Sequence, residues 1–445
     1  MTGSTRYQWI GKIPSDWEIL KISHTTYVKG RIGWHGLNTE EFIDEGPYCV
    51  TGTDLKDGIV DWPSCYHVSE ERCDQDPYIQ LKESDLLLTK DGTIGKCGIV
   101  VGLNGKATLN SGLFVIRPEK DIYMTRFLYW IIQSQVFDNF ITLTKIGTTI
   151  SHLYQNVFEG FRFPVPKIEI QKQIADFLDK ETTRIDTLIS KKQTQIELLQ
   201  EKRQSIITQS VTKGLNPNVK MKNSGVEWIG EVPEHWEVRK LKTLTRRITK
   251  GTTPSTIGSE LLDKGDVRFL KAENITEDGS ISENPVFYID RETDRLLQRS
   301  RILENDLLFV IAGATIGKVS IVNSSFVPSN TNQNVSIVRL RESNQSPYVL
   351  KILQSSFVKV VIDLNKVQSA QPNISMENLG NIQVPLPPPS EMEKVLEHIL
   401  VEEERVQTVT RLVNSSINLL KEYRSSLITH AVSGQIDISK YEVSK

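Results

Sequence analysis

The stretch WIGKIPSDWE at residues 9–18 decides the organisation of this sequence, because it returns as WIGEVPEHWE at residues 228–237. Tryptophan, glycine and proline keep their places in both stretches, which lie 219 residues apart. Self-similarity at a fixed distance is the signature of a repeated structural unit. We call the two stretches the WIG segments, and they indicate two copies of one unit of about 220 residues.

Three more pairs of segments return in the same order, at offsets of 221 or 222 residues. They are DLLL at 85–88 with DLLF at 306–309, TIGK at 93–96 with 315–318, and FPVP at 163–166 with VPLP at 384–387. Inside each copy, short apolar runs alternate with Gly, Asn and Asp, which is typical of short strands joined by turns. Proline interrupts strands and helices, so the proline-rich segments mark the end of each strand-rich domain.

Each copy ends in a segment of about 40 residues whose apolar side chains recur every three or four positions, which predicts a long amphipathic helix. Each stripe could pack on its own domain. Two matching stripes longer than a usual globular helix instead favour mutual pairing as a coiled coil. Because the termini of a domain tend to lie close together, the two helices should run antiparallel. We expect the pairing residues to be Ile185, Leu188, Leu199, Ile206, Val406, Val409, Leu420 and Leu427.

The sequence therefore predicts an α+β fold in which two similar domains of short strands are separated by two antiparallel helices, with a pseudo-twofold relation. At 1.5 Å per residue, helices of about 40 residues form a rod of roughly 60 Å. The expected boundaries are 1–166 for the first domain, 167–213 for the first helix, 214–387 for the second domain, 388–432 for the second helix and 433–445 for a C-terminal tail.

Composition excludes several classes of protein. A net charge of −2 argues against coating of nucleic acid through bulk positive charge, but it permits local basic patches. No apolar run approaches the ~18 residues of a membrane span, and the first residues lack a secretory signal, so we expect a cytoplasmic protein. Cys65, His67 and Cys73 have the wrong spacing for a zinc site and lack a fourth ligand.

Local charge and loop composition indicate double-stranded DNA as the partner. Residues 239–250 contain six basic side chains and no acidic one. Two similar domains at a fixed separation suit a duplex whose grooves recur every ~34 Å. Lys and Arg bind phosphates, whereas Asn and Gln pair with adenine edges. For any single loop the alternative is an ordinary solvated loop. The candidate DNA-binding residues are Lys29, Arg31, Lys96, Asn110, Lys145, Arg246, Arg247, Lys250, Thr252, Thr253, Lys318, Asn332, Gln333 and Lys366.

Signatures of catalysis are missing from the sequence. The segment GATIGK at residues 313–318 has one residue too few between its glycines for a phosphate-binding loop, and Val319 replaces the hydroxyl that would hold magnesium. The GxGxxG fingerprint, the Asn/Asp-Pro-Pro-aromatic motif of amino-methyltransferases and HExxH are also missing. The sequence thus predicts a chain that is not catalytic by itself, with no metal site and no cofactor.

The combination of these features resembles the specificity subunits of type I restriction–modification systems. The resemblance rests on the duplicated WIG segments, KGTTP at 250–254, the TIGK hairpins, and helices ending in RQSIITQ at 203–209 and RSSLITH at 424–430. It implies that each domain, a target-recognition domain, binds one half of a bipartite DNA site. The helices would set the spacer and dock two methyltransferase subunits, which restriction–translocation subunits join. S-adenosylmethionine, ATP and Mg would then belong to the partner subunits.

One departure from the family pattern concerns the first copy, which has KGRI at residues 29–32 in place of KGTTP. The family's DNA contacts transfer less directly to that domain. Two alternatives stay open at this point: a self-contained DNA methyltransferase or nuclease, and a coiled-coil assembly protein unrelated to DNA. The DNA sequence that is recognised does not follow from the residue pattern.

Overall fold

The computed structural model describes residues 2–4, 7–31, 37–144, 152–366 and 373–438. The chain forms two compact units. Unit 1 comprises Met1–Lys192 and Asn414–Lys445, and unit 2 is the continuous segment Gln193–Val413. Both long helices cross from one range into the other, so each unit contains a segment of each helix. Among the described residues, no helix is long and apolar enough to span a membrane.

Unit 1 combines a large sheet with short helices. Its strands are β1 (Thr2–Ser4), β2 (Lys12–Pro14), β3 (Glu18–Lys21), β4 (Thr26–Gly30), β5 (Ile43–Val50), β6 (Leu55–Lys56), β7 (Ile59–Val60), β8 (Tyr66–His67), β9 (Leu86–Thr89), β10 (Cys97–Ile99), β11 (Ala107–Leu109), β12 (Leu113–Pro118) and β13 (Arg162–Val165). Its helices are α1 (Ile22–Thr25), α2 (Glu70–Asp74), α3 (Thr125–Ile132), α4 (Gln135–Thr144), α5 (Gln155–Phe158) and the first part of α6 (Ile168–Lys213). The main sheet has the order β4-β12-β9-β10-β7-β6, and a smaller sheet has the order β11-β5-β8.

Unit 2 repeats this plan with two sheets of four strands each. Its strands are β14 (Met221–Asn223), β15 (Glu231–Pro233), β16 (Glu237–Lys240), β17 (Thr245–Lys250), β18 (Val267–Leu270), β19 (Tyr288–Ile289), β20 (Arg301–Ile302), β21 (Leu307–Val310), β22 (Val319–Ile321), β23 (Ser329–Thr331), β24 (Val335–Leu340) and β25 (Gln383–Leu386). Its helices are α7 (Leu241–Leu244), α8 (Arg291–Leu296), α9 (Ser346–Leu353), α10 (Ser356–Lys366), α11 (Met376–Asn381) and the first part of α12 (Pro389–Val432). The sheets have the orders β17-β24-β21-β22 and β19-β18-β23-β20.

The repeated Asp-Leu-Leu runs form the central strands β9 and β21, which are buried on both faces. Leu86 and Leu88 pack into the core shared with the helices, whereas Leu87 packs into the core shared with the smaller sheet. Residues 307–310 alternate in the same way between two cores in unit 2. Because successive strand residues point to opposite faces, a strand covered on both sides needs an uninterrupted apolar run. Each unit therefore has three layers: helices, main sheet and a second sheet.

The aspartate that precedes each of these strands forms a buried ion pair with the neighbouring strand. The carboxylate of Asp85 accepts hydrogen bonds from Arg117, and that of Asp306 accepts them from Arg339, with Nη2–Oδ2 distances of 2.8 and 2.7 Å. Both aspartates are almost completely buried. The recurring aspartate is thus a structural anchor that ties the start of the central strand to β12 or β24.

The two long helices pair within each unit, as the apolar stripes predict. In unit 1, Ile185 and Leu427 belong to one core, and Arg424 Nε lies 2.9 Å from Asp186 Oδ1. In unit 2, residue 203 meets residue 403 through an Arg–Glu pair at 2.5 Å, and residue 214 lies beside residue 391. Rising numbers on one helix meet falling numbers on the other, so the pairing in unit 2 is antiparallel.

The buried positions of both helices follow the three–four alternation of a heptad repeat. Two of the expected pairing residues do not belong to it, because the side chains of Leu188 and Val409 are 38% and 39% exposed. Each of them precedes by one residue the position that the heptad repeat buries. Those positions are occupied by Ile189 and Thr410. The other expected residues are buried or half-buried: Ile185, Leu199, Ile206, Val406, Leu420 and Leu427.

Each WIG segment packs against the end of a long helix. Gly434 follows α12 with φ +67°, and a Cβ there would lie 2.6 Å from Pro14 and 2.9 Å from the ring of Trp17. Gly214 follows α6 with φ +70°, and a Cβ there would lie 3.1 Å from Trp236. A left-handed glycine is a common helix terminator because it carries no Cβ. The WIG segment of unit 1 therefore contacts the second helix, and that of unit 2 contacts the first.

Candidate nucleic-acid interface

In unit 2 the ends of several strands bring four segments together at one edge, which we call the loop edge. It comprises residues 250–253, 311–313, 332–334 and 373, the last of which forms a β-bridge with residue 312. The N–H of Thr252 donates to the carbonyl oxygen of Thr331 at 2.9 Å, and the N–H of Ile311 donates to that of Asn334 at 2.8 Å. Backbone hydrogen bonds thus fix the position of loops that carry polar side chains.

Gly251 allows the closest approach at this edge. A Cβ at that position would lie 2.1 Å from the carbonyl oxygen of Thr331 and 2.3 Å from that of Asn332. Only glycine fits such a contact, so the glycine of the KGTTP segment is required by the crossing of two chain segments. The next side chains are held in place as well, because the hydroxyl of Thr253 donates to the amide oxygen of Gln333.

The predicted residues of unit 2 fall into two groups. Lys250, Thr252, Thr253, Asn332 and Gln333 meet at the loop edge, where the Lys250 and Gln333 side chains are exposed. An exposed cation beside hydroxyls and carboxamides can bind phosphate oxygens and hydrogen-bond with base edges.

The second group in unit 2 lies away from the loop edge. Arg246 and Arg247 are exposed at the opposite end of β17 from Lys250, roughly 10 Å away at ~3.3 Å per strand residue. Lys318 lies in the turn between β21 and β22, where its ammonium is 3.5 Å from a carboxylate oxygen of Glu277. That turn joins two antiparallel strands, so the GATIGK segment is a hairpin and not a phosphate-binding loop.

Unit 1 has a corresponding loop edge, from residues 29–31, 90–92, 110–112 and 152, and part of its backbone bonding is the same. The N–H of Lys90 donates to the carbonyl oxygen of Gly112 at 2.9 Å, which corresponds to the bond between residues 311 and 334 of unit 2. Lys29, at the end of β4, and Asn110, at the end of β11, are half-buried there. Lys96, in the equivalent hairpin turn, donates to the carbonyl oxygen of Gly52 at 2.8 Å.

Arg31 departs from the expected role because its guanidinium is completely buried. It forms an ion pair with Asp76, and it donates to the carbonyl oxygen of Leu109 at 2.8 Å and to the hydroxyl of Thr108 at 3.1 Å. Burial lowers the pKa of Arg31, and the neighbouring carboxylate of Asp76 opposes that shift. Every bond of this guanidinium is made inside unit 1, so Arg31 is a structural cation rather than a candidate phosphate contact.

Two other predicted residues cannot be placed. Lys145 lies outside the described residues, and Lys366 ends α10 with a side chain that is not described.

The structure adds loop-edge residues that the sequence did not indicate. His152 pairs with the carboxylate of Asp91, from a position 61 residues away. Lys90 lies over the ring of Phe114 at 5.2 Å, and burial lowers the pKa of its ammonium. The only available signal was the repeat, since residues 90, 91 and 152 correspond to 311, 312 and 373 of unit 2.

The cysteines do not form a metal site among the described residues. All four cysteines are buried free thiols, and no group of three or more His, Cys, Asp or Glu side chains within the described ranges could hold a metal ion. His67, the nitrogen ligand of the rejected zinc site, has its Nδ1 atom 2.7 Å from the carbonyl oxygen of Gly46.

Comparison with known proteins agrees with this geometry. Residues 14–198 and 233–427 each match the family described as type I restriction modification DNA specificity domain. The chain is 27% identical over 394 residues to the type I restriction enzyme MjaVIII specificity subunit of Methanocaldococcus jannaschii, covering 87% of this chain and 86% of that protein.

Solved structures share the fold. One is a chain from a structure on complex assembly and conformational transition of the type I R-M system, with a TM-score of 0.71 and 16% identity over 96% of this chain and all of that chain. Another is the HsdS subunit from Thermoanaerobacter tengcongensis, with a TM-score of 0.51 and 16% identity over 96% of this chain and 98% of that one. With both halves matched separately, the chain belongs to the type I restriction–modification DNA specificity family and is a specificity subunit with two target-recognition domains.

Proposed function

We propose that the loop edge of each unit binds one half of a bipartite double-stranded DNA site. The observation that carries this proposal is the pair of loop edges, which share backbone hydrogen bonds but differ in side chains. Lysine is common to both at positions 29 and 250, whereas Ser111 corresponds to Gln333 and His152 to Asn373. A shared scaffold with different polar groups suits two half-sites of different sequence.

We assign roles by side-chain chemistry. Lys29 and Lys250 bind phosphates, while Asn110, Asn332 and Gln333 contact base edges. Phosphate contacts also come from Arg246, Arg247, Thr252, Thr253, Lys96, Lys318, Lys145 and Lys366. Lys318 exchanges its exposed glutamate for a phosphate, which costs little because surface ion pairs contribute about 0–1 kcal/mol.

We further propose that the paired helices set the spacer between half-sites and dock two methyltransferase subunits, which restriction–translocation subunits join. Leu198 and Leu400 in unit 2, and Leu419 and Tyr423 in unit 1, support docking, because these large apolar side chains are exposed on the helices. In this proposal the domains span 1–166 and 214–387, the spacer helices 167–213 and 388–432, and the tail 433–445. The assembly acts in the cytoplasm.

Catalysis belongs to the partners in this proposal. S-adenosylmethionine serves the methyltransferase subunits, and ATP with Mg serves the restriction–translocation subunits. This chain supplies DNA sequence specificity alone.

The test is selection of bound duplexes from a randomised library by the full chain assembled with its methyltransferase subunits. We expect two conserved half-sites with an unread spacer. Gln333→Ala should relax the preference in one half-site and leave the other intact, and Asn110→Ala should do the reverse. Loss of preference in both half-sites from a single substitution would contradict the assignment of one half-site to each unit.

A further inference from the structure

The tryptophan that opens each WIG segment has different surroundings in the two units. In unit 1 the ring of Trp9 lies 5.4 Å from that of Tyr7 and 5.4 Å from that of Phe140. Its indole N–H donates to the carbonyl oxygen of Arg162 at 3.0 Å, and the guanidinium of Arg162 lies 5.0 Å from the Tyr7 ring. Trp9 is thus half-buried against two aromatic rings of its own unit.

The corresponding place in unit 2 does not have those aromatic rings. The strand pairing is equivalent, since Arg162 faces Lys21 in one unit and Gln383 faces Lys240 in the other. The aliphatic residues Val226, Val361 and Ile382 stand where unit 1 has Tyr7, Phe140 and Phe161. Three smaller side chains leave space beside the tryptophan that the backbone does not fill.

A cleft of about 550 Å³ occupies this space. Its walls include Trp228, whose side chain is 43% exposed, and the aliphatic residues at 226, 361 and 382. Carboxamides of Asn378, Asn381 and Gln383 and the charged groups of Glu227 and Lys240 complete the lining. The lining thus combines an indole ring and aliphatic side chains with a similar share of polar groups, and its volume lies within the ~300–1,000 Å³ range of binding pockets.

We propose that the Trp228 cleft of unit 2 receives an aromatic side chain presented by a polypeptide segment of a partner protein. Unit 1 identifies the occupant, because Tyr7 of its own chain fills the equivalent space against Trp9. Aromatic rings with centroids about 4.5–7 Å apart attract each other beyond the effect of the area they bury. On the wall, the carboxamides of Asn381 and Gln383 can bond with the backbone of the incoming segment or with a tyrosine hydroxyl.

A nucleobase is the competing class of ligand, since an indole and carboxamides also suit a base. The position of the cleft favours the protein ligand. It is built from the WIG segment, β16, β25, α10 and α11, and none of the residues of the loop edge lines it. The inference goes beyond the proposed DNA binding and does not depend on it, because the cleft can be tested with the DNA-free chain.

The experiment uses the full chain labelled with 5-fluorotryptophan and ¹⁹F NMR. The resonance of Trp228 is assigned by its loss in Trp228→Phe. N-acetyl-tyrosinamide is the probe, and N-acetyl-leucinamide and adenosine are the comparisons. We expect the tyrosine probe to shift the Trp228 resonance in a saturable way, with little response to the leucine probe. A stronger response to adenosine, or no saturable response to the tyrosine probe, would overturn the proposal.

Two matched substitutions exchange the environments of the tryptophans. Val226→Tyr restores the ring that unit 1 has, so the Trp228 response to the tyrosine probe should be lost. Tyr7→Val opens the equivalent space in unit 1, so a response at Trp9 should appear. An unchanged Trp228 response in a folded Val226→Tyr chain would overturn the proposal. If that variant does not fold, the Tyr7→Val chain decides: a new response at Trp9 supports it, and none overturns it.

Discussion

The loop edges of the two units share part of their backbone connections and differ in chemistry. In unit 1 the bridge across the edge joins Asp91 to His152, and in unit 2 the equivalent bridge joins Ala312 to Asn373. Main-chain hydrogen bonds hold loops in both units, joining residue 90 to residue 112 in unit 1 and residue 311 to residue 334 in unit 2. Where main-chain groups hold the loops, the side chains are free to differ, and a duplicated scaffold can present two unlike surfaces to DNA.

The entry to the loop edge is the position just after β4 in unit 1 and just after β17 in unit 2. A side chain stabilises the fold at this position in unit 1 alone. Arg31 crosses the interior to Asp76, whereas Thr252 at the same position makes a backbone hydrogen bond to Thr331. Unit 1 thus depends on a buried charge where unit 2 depends on the close approach of Gly251. This difference predicts unequal sensitivity to substitution.

The largest effect is expected from Arg31→Met. Removing the guanidinium takes away the shortest ion pair of the buried Asp76 and leaves it a more distant cation, Arg72 at 3.6 Å, so unit 1 should lose about 3–5 kcal/mol of unfolding free energy. Urea unfolding measures the loss, and hydrogen exchange of peptides from residues 73–80 and 106–110 locates it. Thr252→Val is the matched control in unit 2. Similar destabilisation by both variants would refute the difference between the entries.

The second-largest effect is expected from the pairing of α6 with α12, whose buried positions we call the helix seam. Ile185→Ala removes a buried side chain from the pairing of the helices in unit 1 and should cost about 2–4 kcal/mol. Leu188→Ala, three residues further on but exposed, should change stability by about 0.5 kcal/mol. Denaturant midpoints of the two variants compare them directly. An equal loss of stability in the two variants would show that Leu188 belongs to the helix seam.

The Arg–Asp anchors should behave alike in both units. Arg117→Met and Arg339→Met each remove two hydrogen bonds from a buried aspartate, and each should cost about 1.5–3 kcal/mol because hydrogen bonds to charged groups are worth that much. Hydrogen exchange of β9 and β21 gives the readout for the respective unit. Costs that differ by more than about twofold would show that the anchor is not equivalent in the two copies.

The smallest effect concerns the shared lysines. Lys29→Ala and Lys250→Ala should each reduce the slope of log K against log salt for DNA binding by about 1, without changing the preferred bases. Fluorescence anisotropy of the assembled subunits across a salt series measures this slope. Lys220→Ala is the control, since Lys220 is exposed but pairs with Glu234 of the WIG segment. A changed base preference would give these lysines a role in direct readout.

The repeat, the long helices and their pairing could be predicted because the spacing of residues along the sequence reveals each of them. The role of Arg31 could not, since its partner Asp76 lies 45 residues away and nothing near Arg31 signals burial. The pair of Asp91 with His152 is equally long-range. Leu188 was misassigned for a different reason: it is apolar, and only the heptad frame separates it from the seam residue Ile189.

The hydrophobic core of unit 1 includes Ile428, Ala431 and Val432, which are synthesised more than two hundred residues after the strands they pack with. Unit 2 has all of its residues once Val413 has left the ribosome. Domains generally fold in the order of their synthesis. Here the unit that begins second is completed first, and the apolar start of α6 has all of its core partners only after the last turns of α12 have been synthesised.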